Sequence, residues 1–141
     1  MRTIFLVFLA VVFSWSAHAQ KKVKLKKADK LTGGINSGGR YDLLRGNVVF
    51  EQNQTTIYCD SAYFYKQLNS LNAFGHIKIL EGDSITITGK SLNYDGNTKK
   101  AQLREDVVLT KLDEATLYTD HLDYDRPKNE AVYFNGGKLV D

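Results

Sequence analysis

A repeat of about thirty residues constrains this chain more than any other feature. Leu44–Phe50 (LRGNVVF), Phe74–Ile79 (FGHIKI) and Leu103–Leu109 (LREDVVL) are one element written three times, with Val48, Ile77 and Val107 spaced 29 and 30 residues apart. A second element recurs in Asp60–Phe64 (DSAYF), Lys90–Tyr94 (KSLNY) and Asp120–Tyr124 (DHLDY), where Phe64, Tyr94 and Tyr124 are each 30 apart. Glu130–Phe134 opens a fourth copy. Self-similarity at a period of roughly 20 to 50 residues signals stacked supersecondary units that bury their apolar faces against their neighbours.

Each unit reads as two strands. Val48/Phe50, Ile77/Ile79 and Val107/Leu109, then Ile57/Cys59, Ile85/Ile87 and Leu117/Thr119, alternate with period two, while Tyr58, Ser84, Thr86, Thr88 and Thr116 take the other face. Gln52-Asn53-Gln54, Glu81-Gly82-Asp83, Tyr94-Asp95-Gly96-Asn97 and Asp125–Asn129 supply the Gly, Asn and Pro of turns. Eight Tyr, seven Phe and a single Pro among 141 residues agree with strands, and no stretch keeps helical apolar spacing over three turns. The expected fold is all-β, built of stacked two-strand units whose aliphatic stripes run on from one unit to the next. Val48, Phe50, Ile57, Ile77, Ile79, Ile85, Ile87, Val107, Leu109 and Leu117 are expected to point into one interior, which is either an open groove or a closed, dry core.

Residues 1–19 are set apart as an export signal: Arg2, an apolar run from Ile4 to Phe13, and the A-x-A site Ala17-His18-Ala19, with cleavage expected after Ala19. The apolar run is too short to span a bilayer. Residues 20–43 form a basic and Gly-rich leader with the first strand region, and 44–141 the repeat domain. Residues 21–30 hold six Lys and one Asp, an arm suited either to anionic headgroups or simply to water. The formal net charge of the whole chain is +3, too small and too evenly spread for a nucleic-acid binder. Cys59, the single cysteine, excludes an internal disulfide and reads as a small buried hydrophobe on the face of Ile57.

Catalytic chemistry finds little support, and neither an enzyme activity nor a cofactor is expected. His76 and His121 lie in different units without metal-ligand spacing, and Asp95 and Asp125 follow a Tyr at turn positions, where Asp caps the backbone. Gly34–Arg40 (GINSGGR) lacks the Lys-Ser/Thr pair and the following helix of a phosphate loop, and is expected to be a plain loop. Asn53-Gln54-Thr55 fits a glycosylation sequon, which matters only in a eukaryotic secretory setting.

The strings Leu44–Gln52, Asp60-Ser61-Ala62, Phe74–Ile77, Thr88–Asp95 and Thr119–Asp125 resemble the OstA/LptA family, whose repeat runs roughly L-x-G-N-V-x-x-x-Q and then A-D-x-L-x-Y-D. The resemblance covers residues 44–139, and departs from the pattern at Cys59, Lys90 and Glu105-Asp106. It implies a periplasmic protein of lipopolysaccharide transport or outer-membrane assembly, folded as an antiparallel β-jellyroll. Implied partners are lipopolysaccharide or a related glycolipid, other OstA-like β-modules joined edge to edge, and the outer-membrane assembly protein. Each acyl CH₂ left in water costs about 0.8 kcal/mol, so a twelve-carbon chain costs roughly 10 kcal/mol and needs a shield. A structural or interaction β-module of the cell envelope is the alternative. The repeat stops in mid-unit at Gly136–Asp141, so either the chain is a fragment or its last strand joins another β-module by augmentation.

Overall fold

The computed structural model describes residues 21–141; the expected export signal and its cleavage after Ala19 lie outside the described residues. The strands are β1 (Lys24–Lys27), β2 (Lys30–Asn36), β3 (Gly39–Gln52), β4 (Thr55–Tyr65), β5 (Ser70–Glu81), β6 (Ile85–Asp95), β7 (Lys100–Lys111), β8 (Ala115–Asp125) and β9 (Glu130–Val140), with one 3-10 turn at Lys66–Leu68. They form a single antiparallel meander in the order β1-β3-β4-β5-β6-β7-β8-β9, and β2 also pairs with β3. Among the described residues no helix is long and apolar enough to cross a membrane.

What turns this flat meander into a container is a line of β-bulges. Arg45 pairs with Ser61 and Val48 with Cys59, so Gly46-Asn47 stands opposite Asp60 alone, two residues against one. The device recurs at Gly75-His76 and Glu105-Asp106, and these six residues all have positive φ. A bulge bends its strand, and bulges aligned across neighbouring strands fold the whole sheet along one line into two leaves. Phe50 on the first leaf and Phe64 on the second meet edge to face, with ring centroids 5.2 Å apart.

Space at the bulges explains where the repeat varies. A Cβ on Gly46 would lie 2.5 Å from Asp29 Oδ2, and one on Gly75 the same distance from Asp60 Oδ2, so glycine is required for room as well as for φ. In the third bulge the equivalent of those aspartates is Lys90. Glu105 then fits at φ +64, and Lys90 Nζ lies 2.9 Å from Asp106. The two departures, Lys90 and Glu105, are one coupled change.

Two features of the N-terminal region differ from the sequence reading. Gly34–Arg40 is not a loop but the end of the β2–β3 hairpin, with Asn36 paired to Gly39 around Ser37-Gly38. Gly34 looks like a loop residue because of what covers it: the Tyr41 ring occupies the place of its missing side chain. The Lys-rich arm is also tied down in part. Its lysines face outward, but β1 pairs with β3, Val23 is buried and Leu25 packs on the core. Its apolar residues alternate with the lysines, and that alternation is the signature of an edge strand.

Candidate functional site

The ten expected inward residues do share one interior. Val48, Phe50, Ile57, Ile77, Ile79, Ile87 and Val107 are at most 2% exposed, Ile85 and Leu117 are buried, and Leu109 is half-buried against the same core. All ten belong to the first leaf. The facing wall comes from the second leaf: Leu44, Ala62, Phe64, Leu71, Ala73, Leu92, Tyr94, Ala101, Leu103, Leu122 and Tyr124 are buried in the same cluster. The sequence reading did not assign this wall: on β4 the inward positions Cys59 and Ala62 stand three apart across Asp60 and break the period of two, while on β3, β5 and β7 the period holds across the bulge, Leu44 and Val48 being four apart, and the reading stopped short of it. The signal was nevertheless present, since Phe64, Tyr94 and Tyr124 recur every 30 residues.

The interior changes character along the sheet. Leu122 pairs with Tyr133 and Leu117 with Leu139, so Tyr133 and Leu139 continue the inner faces of the two leaves. Leu122 is fully buried and Leu117 nearly so, whereas Tyr133 is 47% and Leu139 63% exposed. Between β3 and β7 the stripe is filled by its own side chains. At β9, among the described residues, it forms an open mouth. Recesses also lie on the outer surface beside the bulges, one of about 610 Å³ next to His76 and Lys90.

Polar rungs close the two free rims of the folded sheet. Val23 N–H donates to Asn69 Oδ1 at 2.8 Å, and Gln52 Nε2 donates to Gly96 O at 2.7 Å and to Lys21 O at 2.8 Å. Tyr94 O–H donates to Gln52 Oε1, and burial pushes its phenol up to about 12. One unit further on, Arg126 Nε lies 2.5 Å from Glu81 Oε1, and Thr55 O–H donates to Glu81 Oε2 at 2.6 Å. Arg126 Nη1 is buried without a hydrogen-bond partner. Gln52, Glu81 and Lys111 are successive strand ends spaced 29 and 30 apart. The turn after Lys111 faces no opposite turn among the described residues, and its Leu112 is 61% exposed.

Titratable groups elsewhere are engaged in structure. Asp95 Oδ1 accepts from the Asn97 and Thr98 N–H groups, and Asp125 Oδ1 from Lys128 N–H. His76 Nδ1 lies 2.6 Å from Asp60, and this hydrogen bond raises the imidazole pKa above its ordinary 6.5. Burial, reinforced by the Asp60 charge, pushes the Cys59 thiol up to about 12, the behaviour of a packing residue. Among the described residues no cluster of three or more His, Cys, Asp or Glu could hold a metal ion.

A single long sheet folded on bulges around an apolar interior, latched at its rims and, among the described residues, uncovered at β9, defines a β-jellyroll. The chain belongs to the family of OstA-like proteins, whose model matches residues 20–141. No curated protein matches it in sequence. Among solved structures it is similar to LptH of Pseudomonas aeruginosa, the LptA homologous periplasmic component of the conserved lipopolysaccharide transport device. That match has a TM-score of 0.69 at 12% identity and covers 86% of this chain and 95% of the other. A likeness at that identity shows a common antiparallel jellyroll fold.

Proposed function

We propose that this chain is a periplasmic bridge module for lipopolysaccharide or a related glycolipid, which it binds without turnover by covering acyl chains between its leaves. The observation that carries the reading is the inner stripe itself: one continuous apolar face, filled from β3 to β7 and bare at Leu139 and Tyr133. Acyl chains entering that mouth would extend the packing already made by Leu109, Leu117 and Leu122. Family membership and the place of LptH in a lipopolysaccharide transport device support the cargo class.

Assembly with further OstA-like modules, the outer-membrane assembly protein among them, follows from the edges. On the chain's first edge Asp29, between β1 and β2, stands where Asp60 and Asp120 face bulges, and β9 carries a positive-φ glycine at Gly136. An unpaired edge with a matching bulge is a template for strand addition. Concentration-dependent head-to-tail association, weakened by Val140→Pro, is the expected behaviour; a strictly monomeric species at high concentration counts against it.

A structural envelope module is favoured by one observation, the filled interior between β3 and β7. A photo-crosslinking side chain at Leu139 separates the two readings in cells that make glycolipid. Capture at Leu139 with none at Ile87 supports transport through the mouth. No capture at either position leaves the structural module.

A further inference from the structure

We propose that the outer surface of the second leaf is a saccharide-binding face, a trough across β5–β8 that takes an uncharged hexose chain. The site lies outside the apolar interior and does not depend on the lipid reading. It starts from a row of side chains that the core does not use. Tyr63, Asn72, Asn93, Gln102 and Asp123 stand opposite one another in register from β4 to β8. Each of the three amides lies between two buried neighbours on its strand, as Asn93 does between Leu92 and Tyr94, and so projects outward.

Other amides are spent on the protein's own architecture: Asn36 bonds Tyr65, Asn47 bonds Asp29, and Gln52, Asn69 and Asn97 tie the rims. The Asn72, Asn93 and Gln102 amides have no hydrogen bond among the described residues, and with Ser70, Asp95 and Lys100 they line a recess of about 480 Å³. Each offers a carbonyl acceptor and an NH₂ donor. A second recess of about 330 Å³ shares Lys100 and Gln102 and carries the trough on to Asp123 and Val132. At the other end an aromatic pair borders Asn72. Tyr63 lies across from it and Phe74 two residues along β5, with their rings edge to face and centroids 6.4 Å apart. Phe74 is 45% exposed.

The chemistry of the trough selects its occupant. β5, β6 and β7 are paired on both sides, so no backbone edge is free to add a peptide strand. Asp95, Asp123, Asp125 and Glu130 face Lys100 there, and Arg104 beside it is held on Asp123 at 3.1 Å, a balance that disfavours an anionic chain. What fits is a chain without charge, rich in hydroxyls and with apolar C–H faces, because amides exchange hydrogen bonds with hydroxyls and an aromatic ring packs on the C–H face of a sugar. Neighbouring strands lie about 4.8 Å apart, close to the length of one hexose in a chain, so successive amides meet successive sugars.

Calorimetric titration of the folded protein with cellohexaose, maltohexaose and chitohexaose, alongside nitrogen-15 spectra of the side-chain amides, tests this. At least one of the three is expected to bind and to shift the Asn72, Asn93 and Gln102 NH₂ signals. The double change Asn93→Ala with Gln102→Ala should weaken that binding about tenfold, the effect of losing two neutral hydrogen bonds. Phe74→Ala should weaken it several-fold, and Thr86→Ala, on the outer face of the first leaf, should leave it unchanged. Binding of none of the three chains overturns the proposal, as do amide signals that stay in place on binding or an unaltered affinity of the double variant. An oligogalacturonate of the same length binding as tightly as the neutral chain also overturns it. None of these outcomes touches the lipid reading, which concerns the opposite face of the sheet.

Discussion

Ile87 and Leu139 occupy equivalent inward positions on the first leaf, yet Ile87 is fully buried and Leu139 is 63% exposed. The difference is not in the residues, which are similar in size and polarity. It comes from the offset between the leaves. A turn on the first rim meets a turn some 45 residues further along the chain, as Gln52 meets Gly96 and Glu81 meets Arg126. The inner face of β4–β6 is therefore roofed by strands that come later, while that of β9 has no such roof among the described residues. A repeat with nearly identical units thus makes a closed core at one place and an open mouth at another.

The comparison breaks most sharply with a charge. Ile79→Asp places a carboxylate in the filled region, where an unpaired buried charge is prohibitive unless it is protonated or reaches water. A loss of at least ~4 kcal/mol and failure to fold are expected in urea denaturation. Leu139→Asp should leave the midpoint nearly unchanged and abolish lipid capture. The surface control Thr86→Asp should stay within ~0.5 kcal/mol.

Thiol labelling gives the next largest contrast. Cys59 is 5% exposed with its thiol pushed up to about 12, so the folded protein should label it only through opening of the core, at least ~1000-fold slower than the unfolded chain. Leu139→Cys in a Cys59→Ala background should label at nearly the unfolded rate. Comparable rates at the two sites would mean that the filled half is not closed.

The rims should differ by less. Gln52→Ala leaves the Tyr94 hydroxyl and the Gly96 carbonyl without partners in a buried setting, and should cost about 1–3 kcal/mol by thermal or chemical denaturation. Lys111→Ala, at the equivalent position on the open side, should fall within ~0.5 kcal/mol.

The smallest effect lies on the bulge line. His76 has its pKa raised by Asp60, so the stabilisation from this pair is full below the ordinary pKa of 6.5 and fades as pH rises through the raised value. Both partners are exposed, so the melting temperature should fall only slightly across that window. Asp60→Asn should return the imidazole titration, followed by NMR, toward 6.5, and the third bulge, which has Asp106 in the place of His76, should show no such step in this range.

Much of this was legible in the residues. Alternation placed Val48 through Leu117 on one side, turn residues marked where strands reverse, and the slot shared by Asn47, His76 and Asp106 proved to be the second residue of each bulge. The second wall was harder to read on β4, where the phase shifts between Cys59 and Ala62 opposite the Gly46-Asn47 bulge, although on β3 Leu44 and Val48 stay in phase across it. The Gly34–Arg40 hairpin was obscured by composition, since glycine beneath the Tyr41 ring looks the same in a sequence as glycine in a loop.

The sequence by itself determined the strands, their inward faces and the period at which the sheet bends, because side-chain alternation and left-handed bulge residues are properties of neighbouring positions. Only the tertiary structure decided which inward residues are roofed, which rim residues meet, and that Arg126 stands fixed on Glu81 with one nitrogen unpartnered. Those outcomes depend on how far the two leaves slide past each other when the bent sheet closes. That offset joins residues about 45 apart, half a unit out of step with the thirty-residue period, so no repeat in the sequence announces it.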